Sequence, residues 1–120
     1  MRGKLFLIHW RAGEAEQLAR NLRAAKWSVD IETEDAARAG RRVSERPPDA
    51  VVISLAAAPE QGLAAATRLR GGSGGRFRIV FVDGDENALR TAKARMPFAT
   101  FTTSGELQTA LKPGKAAGWG

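Results

Sequence analysis

The 120-residue chain contains no cysteine and no tyrosine. The missing thiols exclude disulfides and thiolate metal sites outright. No uninterrupted apolar run is longer than Leu5 to Ile8, far short of the ~20 residues that span a bilayer. No signal-peptide core precedes a small-residue cleavage site, so the cytosol is the expected location. What is present, 43% hydrophobic and 27% charged residues, bounds the chain to one small globular domain rather than a disordered tail or a two-domain enzyme. A domain of this size buries roughly two-thirds of its unfolded surface and folds without staples.

Nineteen Lys and Arg against thirteen Asp and Glu give a net charge of +6, which favours acidic partners: nucleic acid, an acidic protein surface or anionic lipid. The bases are spread along the chain, from Arg20, Arg23 and Lys26 through Arg38, Arg41, Arg42 and Arg46 to Arg90, Lys93 and Arg95. That distribution reads first as solvated helix faces. The acids are more local, with Asp30, Glu32, Glu34 and Asp35 in one cluster.

Apolar segments bounded by turn or charge signals predict strands over Leu5 to Ile8, Val29 to Ile31, Ala50 to Leu55, Ile79 to Val82 and Ala99 to Phe101. Between them, apolar residues recur at spacings of three and four. Ala15, Leu18, Ala19, Leu22 and Ala25 predict one helical face. Ala36, Ala37 and Val43 predict a second helix, ended by Pro47 and Pro48. Leu63, Ala66 and Leu69 predict a third, ended by the glycine run Gly71 to Gly75. Ala88, Leu89, Ala92 and Met96 predict a fourth, stopped by Pro97. Leu107, Ala110 and Leu111 predict a fifth behind a Ser104 cap. Strands alternating with helices call for right-handed crossovers and a parallel sheet covered on both faces. Five such units give an α/β flavodoxin-like (βα)5 three-layer sandwich with strand order 2-1-3-4-5. Residues 1–111 form this domain, and 112–120, rich in Gly, Ala and Lys, are expected to be a flexible tail.

Ligands of such sheets bind at the carboxyl ends of the strands, where this chain places His9 and Trp10, then Ser54, then Asp83 with Gly84. In this layout the chain resembles the receiver domain of bacterial response regulators. Lys4 to Trp10 is similar to the first strand leading to that family's acidic pair. Pro48-Asp49-Ala50-Val51-Val52-Ile53-Ser54-Leu55 is similar to the run leading to its phosphoacceptor aspartate, with Gly62 eight residues on. Ile79 to Gly84 resembles its fourth strand, and Glu106-Leu107 with Ala110-Leu111 the start of its last helix.

Carried over position by position, the family's chemistry is missing. The acidic pair is replaced by His9 and Trp10, and the phosphoacceptor by Ser54. The hydroxyl position holds Asp83, and the lysine after the fifth strand falls at Thr102 or Thr103. Pro59 sits one residue late. Imidazole, indole and hydroxyl groups do not supply the hard carboxylate oxygens that magnesium-assisted phosphoryl transfer needs. The resemblance thus implies a pseudo-receiver: no catalytic residues, no metal, no cofactor, and a phosphorylation-independent role in binding protein. It further implies self-association or partner binding through the fourth helix, fifth strand and fifth helix, Asn87 to Leu111. Arg90, Lys93 and Arg95 would supply charge there, and Phe98 or Phe101 an aromatic anchor. Phe101 also fits as an ordinary sheet residue, alternating with Thr100.

Three sharper readings fare worse. A Ser54-His9-Asp83 hydrolase triad needs the imidazole between hydroxyl and carboxylate, whereas the strand carrying Ser54 should lie between the other two, and no glycine-flanked elbow surrounds it. Trp10 is expected instead to cover the strand ends, where a buried indole adds a few kcal/mol of stability. The glycine run lacks the Gly-Lys-Ser/Thr ending of a phosphate loop. Asp83-Gly84-Asp85-Glu86 lacks calcium-loop spacing, and Asp85 and Glu86 suit a helix start. Nucleic-acid binding is the alternative function, supported by a pI near 10.8 and by Arg38, Arg41, Arg42 and Arg46, but no recognition motif accompanies them.

Overall fold

A computed structural model describes residues 3–72 and 77–111. The expected tail, 112–120, lies outside the described residues. Five strands, β1 (Gly3–Ile8), β2 (Trp27–Glu32), β3 (Ala50–Ser54), β4 (Arg78–Val82) and β5 (Thr100–Thr102), alternate with α1 (Ala12–Ala24), α2 (Ala36–Glu45), α3 (Pro59–Gly72), α4 (Glu86–Arg95) and α5 (Leu107–Leu111). The sheet is parallel throughout, in the order β2-β1-β3-β4-β5. This is the flavodoxin-like arrangement.

Strand periodicity sorts the core into two layers. Phe6, Ile8, Val51, Ile53, Ile79 and Phe81 point to one side and pack on Ala39 and Val43 of α2, Leu63 and Leu69 of α3, and Ala92 of α4. Leu5, Leu7, Ala50, Val52, Val80 and Val82 point to the other, against Leu18 and Leu22 of α1 and Leu107 and Leu111 of α5. Both faces of the central strands are apolar, which is why they read as continuous hydrophobic runs. At the β2 edge, exposed Ser28 and Asp30 interrupt that pattern.

Helix α3 reaches Gly72, inside the glycine run expected to end it, and the rest of that run, 73–75, lies outside the described residues. Three local expectations need correction. Strand β5 begins at Thr100 rather than Ala99, whose amide is drawn back to the carbonyl of Met96. β3 ends at Ser54, one residue before Leu55. The last helix is entered through a 3₁₀ turn, Ser104–Glu106, and its cap is Thr103, whose side-chain oxygen accepts from the Glu106 amide. Ser104 lies inside the turn, and its hydroxyl serves another purpose.

Candidate functional site

The chain runs outward from the sheet centre in both directions, β1 to β2 one way and β3 to β5 the other, so the crevice of the fold opens at the carboxyl ends of β1 and β3. Strand alternation carries past the ends of the strands and decides where each candidate goes. His9 continues the Leu5, Leu7 side and lines a shallow groove against Glu14 and Leu18 of α1. Trp10 continues the Phe6, Ile8 side and packs, half-buried, on the opposite core layer. The two adjacent positions that would form an acidic pair therefore point to different faces.

His9 is 3% exposed. Its amide donates to the Glu32 carbonyl, and its Nδ1 accepts from the Arg11 amide at 3.1 Å. A ring nitrogen that accepts carries no proton, which assigns the neutral tautomer with hydrogen on Nε2. Burial lowers the His9 pKa, while the carboxylates of Glu14 and Asp83 oppose that shift. The Trp10 indole nitrogen is buried with no acceptor. Ser54 is fully buried, and its Oγ accepts from the Ala56 amide at 3.2 Å, closing the turn out of β3. Gly62 explains the spacing noted in the sequence, since a Cβ there would stand 2.9 Å from the Ser54 carbonyl oxygen. Only glycine lets the first turns of α3 pass so close to the end of β3.

Asp83 has φ +62 and Gly84 φ +97, so the chain leaves β4 in a left-handed turn. The Asp83 carboxylate accepts from the Ser104 amide at 3.0 Å and from the Ser104 hydroxyl, in the groove that His9 also lines. Because the Asp83 amide donates to the Thr102 carbonyl, this clasp binds the β4 exit to the β5 exit. Thr102 ends β5 half-buried, and Thr103 caps the turn that follows. Neither brings a cation.

Ser54 lies on the strand between those that carry His9 and Asp83, and each of the three side chains has the partner just described. They do not form a relay. The ends of β1 and β3 carry an imidazole, an indole and a hydroxyl bonded to the Ala56 amide, none of them a carboxylate, and the one carboxylate at the end of β4, Asp83, is bonded to Ser104. Among the described residues no three His, Asp or Glu side chains converge as metal ligands.

Known structures carry the same architecture. A LuxR-family two-component response regulator from Aurantimonas sp. SI85-9A1 is 25% identical, with a TM-score of 0.73 over 91% of this chain and 81% of that one. A response regulator receiver domain from Methylobacillus flagellatus is 23% identical, with a TM-score of 0.69 over 83% of each chain. A response regulator from Burkholderia pseudomallei, described with a phosphorylated aspartic acid and a calcium ion, is 15% identical, with a TM-score of 0.71 over 92% of this chain and 66% of that one. The fold is that of a response-regulator receiver domain. No family profile and no curated protein matches the sequence.

On this receiver scaffold the strongest polar cluster lies where sequence reasoning did not look. Glu32, at the end of β2, is 2% exposed. Arg38 grips it with two bonds, Nε to Oε1 at 2.6 Å and Nη2 to Oε2 at 2.7 Å, and the amides of Glu34 and Asp35 each donate to Oε2 at 3.0 Å. The Arg38 hydrogen bond, helped by those amides, holds the Glu32 pKa down to about 2 against the opposing effect of burial. Arg42 donates to the Ile31 carbonyl and lies over the Phe6 ring at 5.0 Å. By sequence alone the acids of residues 30–35 and the bases of residues 38–46 form separate clusters. Asp35, which caps α2 through the amides of Ala37 and Arg38, was the available signal, because it fixes Arg38 in the first helical turn facing back toward β2.

The side formed by α4, β5 and α5 is uneven. Arg90 is close to Glu86 and Asn87, Lys93 lies over the Phe101 ring at 5.7 Å, and Arg95 is exposed. Phe101 stacks on Phe81 with ring centres 5.3 Å apart. Phe98 stands in solvent.

Proposed function

We propose that the chain is a pseudo-receiver, a module of bacterial signal transduction that binds protein without phosphorylation control. The observation that carries this reading is Ser54: it stands where the receiver layout has its phosphoacceptor, fully buried, with its hydroxyl held by the Ala56 amide and no carboxylate contributed by the end of β1. A serine hydroxyl cannot form an acyl phosphate, and without a cation the charge of the transferring group has nothing to offset it. The Asp83–Ser104 clasp holds together the two loops that lead into α4 and α5, which suits a face kept in one conformation.

Binding is assigned to the side of α4, with Phe98 past its end and against Arg70 of α3 as anchor, since Phe101 is committed to packing on Phe81. The nucleic-acid alternative loses ground because two of its four arginines, Arg38 and Arg42, are engaged by Glu32 and the Ile31 carbonyl. Incubation with acetyl phosphate and magnesium, followed by intact mass measurement, tests the reading. The mass is expected to stay unchanged; a stable phosphoadduct overturns it.

A further inference from the structure

Phe98 is the one large hydrophobic side chain left exposed among the described residues, with 52% of its surface open. It lies just past the end of α4, and the guanidinium of Arg70, near the end of α3, sits over its ring at 3.6 Å. Among the described residues Arg70 has no acidic partner at ion-pair distance. This corner is an aromatic knob carrying a free positive charge.

Toward the opposite ends of the same two helices a groove of about 490 Å³ opens, with Leu55, Pro59, Leu63 and Ala88 as its apolar lining. Glu60 and Asp85 supply carboxylates at the groove, and Arg95 also reaches it. Asp85 spends one oxygen on the Ala88 amide, and Glu60 has no cationic partner among the described residues. Pro59, Leu63, Ala66 and Arg70 recur at spacings of four, three and four, which places them on one flank of α3, with Leu63 and Ala66 buried in the core. The groove, lined from both α3 and α4, and the knob therefore both lie along the seam of these two helices, with Pro59 and Arg70 roughly 15 Å apart along α3 and Arg95 of the groove three residues before Phe98.

A cationic aromatic knob at one end of this seam and, at the other, a groove whose apolar residues are flanked by the carboxylates of Glu60 and Asp85 are complementary to each other. One chain cannot join them, but two copies related by a two-fold axis can, because antiparallel apposition makes each contact twice. We infer that the α3–α4 face is a homodimer interface in which Phe98 of each copy enters the groove of the other and Arg70 meets Glu60. The inference rests on the protein-binding reading above and names a second copy of this chain as the partner.

Sedimentation and light scattering of the full chain, from low micromolar to near-millimolar concentration, test it. A dimer is expected, and Phe98→Ala should weaken it at least ~10-fold, as removal of a central aromatic anchor does. Arg70→Glu and Glu60→Lys should each weaken it, and the double variant, which restores opposite charges across the axis, should recover to within ~3-fold of the parent. All three side chains are exposed, so circular dichroism should show each variant folded. A monomer at every concentration, a dimer indifferent to Phe98→Ala, or a double variant as weak as the singles would each overturn the inference. None of these touches the phosphorylation-independent reading, which stands or falls with the acetyl phosphate experiment.

Discussion

Replacing Glu32 by glutamine removes one charge from a site that is almost fully enclosed. The parent carboxylate accepts two bonds from Arg38 and two from backbone amides, and its pKa falls from an ordinary 4.5 to about 2. At ~1.4 kcal/mol per tenfold change in proton affinity, that fall corresponds to about 3 kcal/mol of preference for the folded state. The Arg38 side chain is 45% exposed, so water screens the pair and the expected loss in Glu32→Gln at pH 7 is about 1.5–2 kcal/mol. The sign follows from the depressed value. Above pH 4.5 the stabilisation is fully present; as the pH falls from there toward 2, the unfolded chain takes up the proton first and the advantage shrinks. Urea unfolding of both proteins at intervals from pH 7 to pH 3 is the assay. The gap should be widest at neutral pH and narrow steadily below pH 4.5. A gap that stays constant across that range, or one below ~0.5 kcal/mol at pH 7, would refute the argument that the ion pair holds β2 to α2.

Substitutions at two further positions probe the strand ends. Gly62→Ala places a methyl 2.9 Å from the Ser54 carbonyl and 3.1 Å from the Ile53 side chain, so chemical denaturation should show a loss of about 1–3 kcal/mol; unchanged stability would mean that α3 is free to shift. Asp83→Ala removes the clasp to Ser104 and leaves a Cβ residue at φ +62, costing about 1–2 kcal/mol, whereas Asp83→Gly keeps the conformation available and should cost no more than the alanine variant. Thermal melts compare the two directly, and an alanine variant as stable as the parent would remove the clasp from the account.

Much of the architecture was legible in the residues because two periods, two for strands and 3.6 for helices, are written into which side chains must leave water. Leu18 and Leu22 share a helical face whatever the fold, and Ile79 to Val82 are apolar on both sides because both sides are covered. Boundaries were less legible where polar residues carry the signal. Ser104 and Thr103 are equally good caps by composition, and only the demand of Asp83 for a partner assigns Ser104 elsewhere.

The site divides the same way. Residue identity alone fixed that His9 and Trp10 follow β1 and that Ser54 rather than an aspartate ends β3, so those substitutions needed no coordinates. Tertiary structure decided the rest. It set His9 and Trp10 on opposite faces, buried Ser54, paired Glu32 with an arginine six residues away, and brought Arg70 onto Phe98 across 28 residues of chain. Those contacts depend on the spatial order of strands and on distances between groups remote in sequence, which local propensity does not encode.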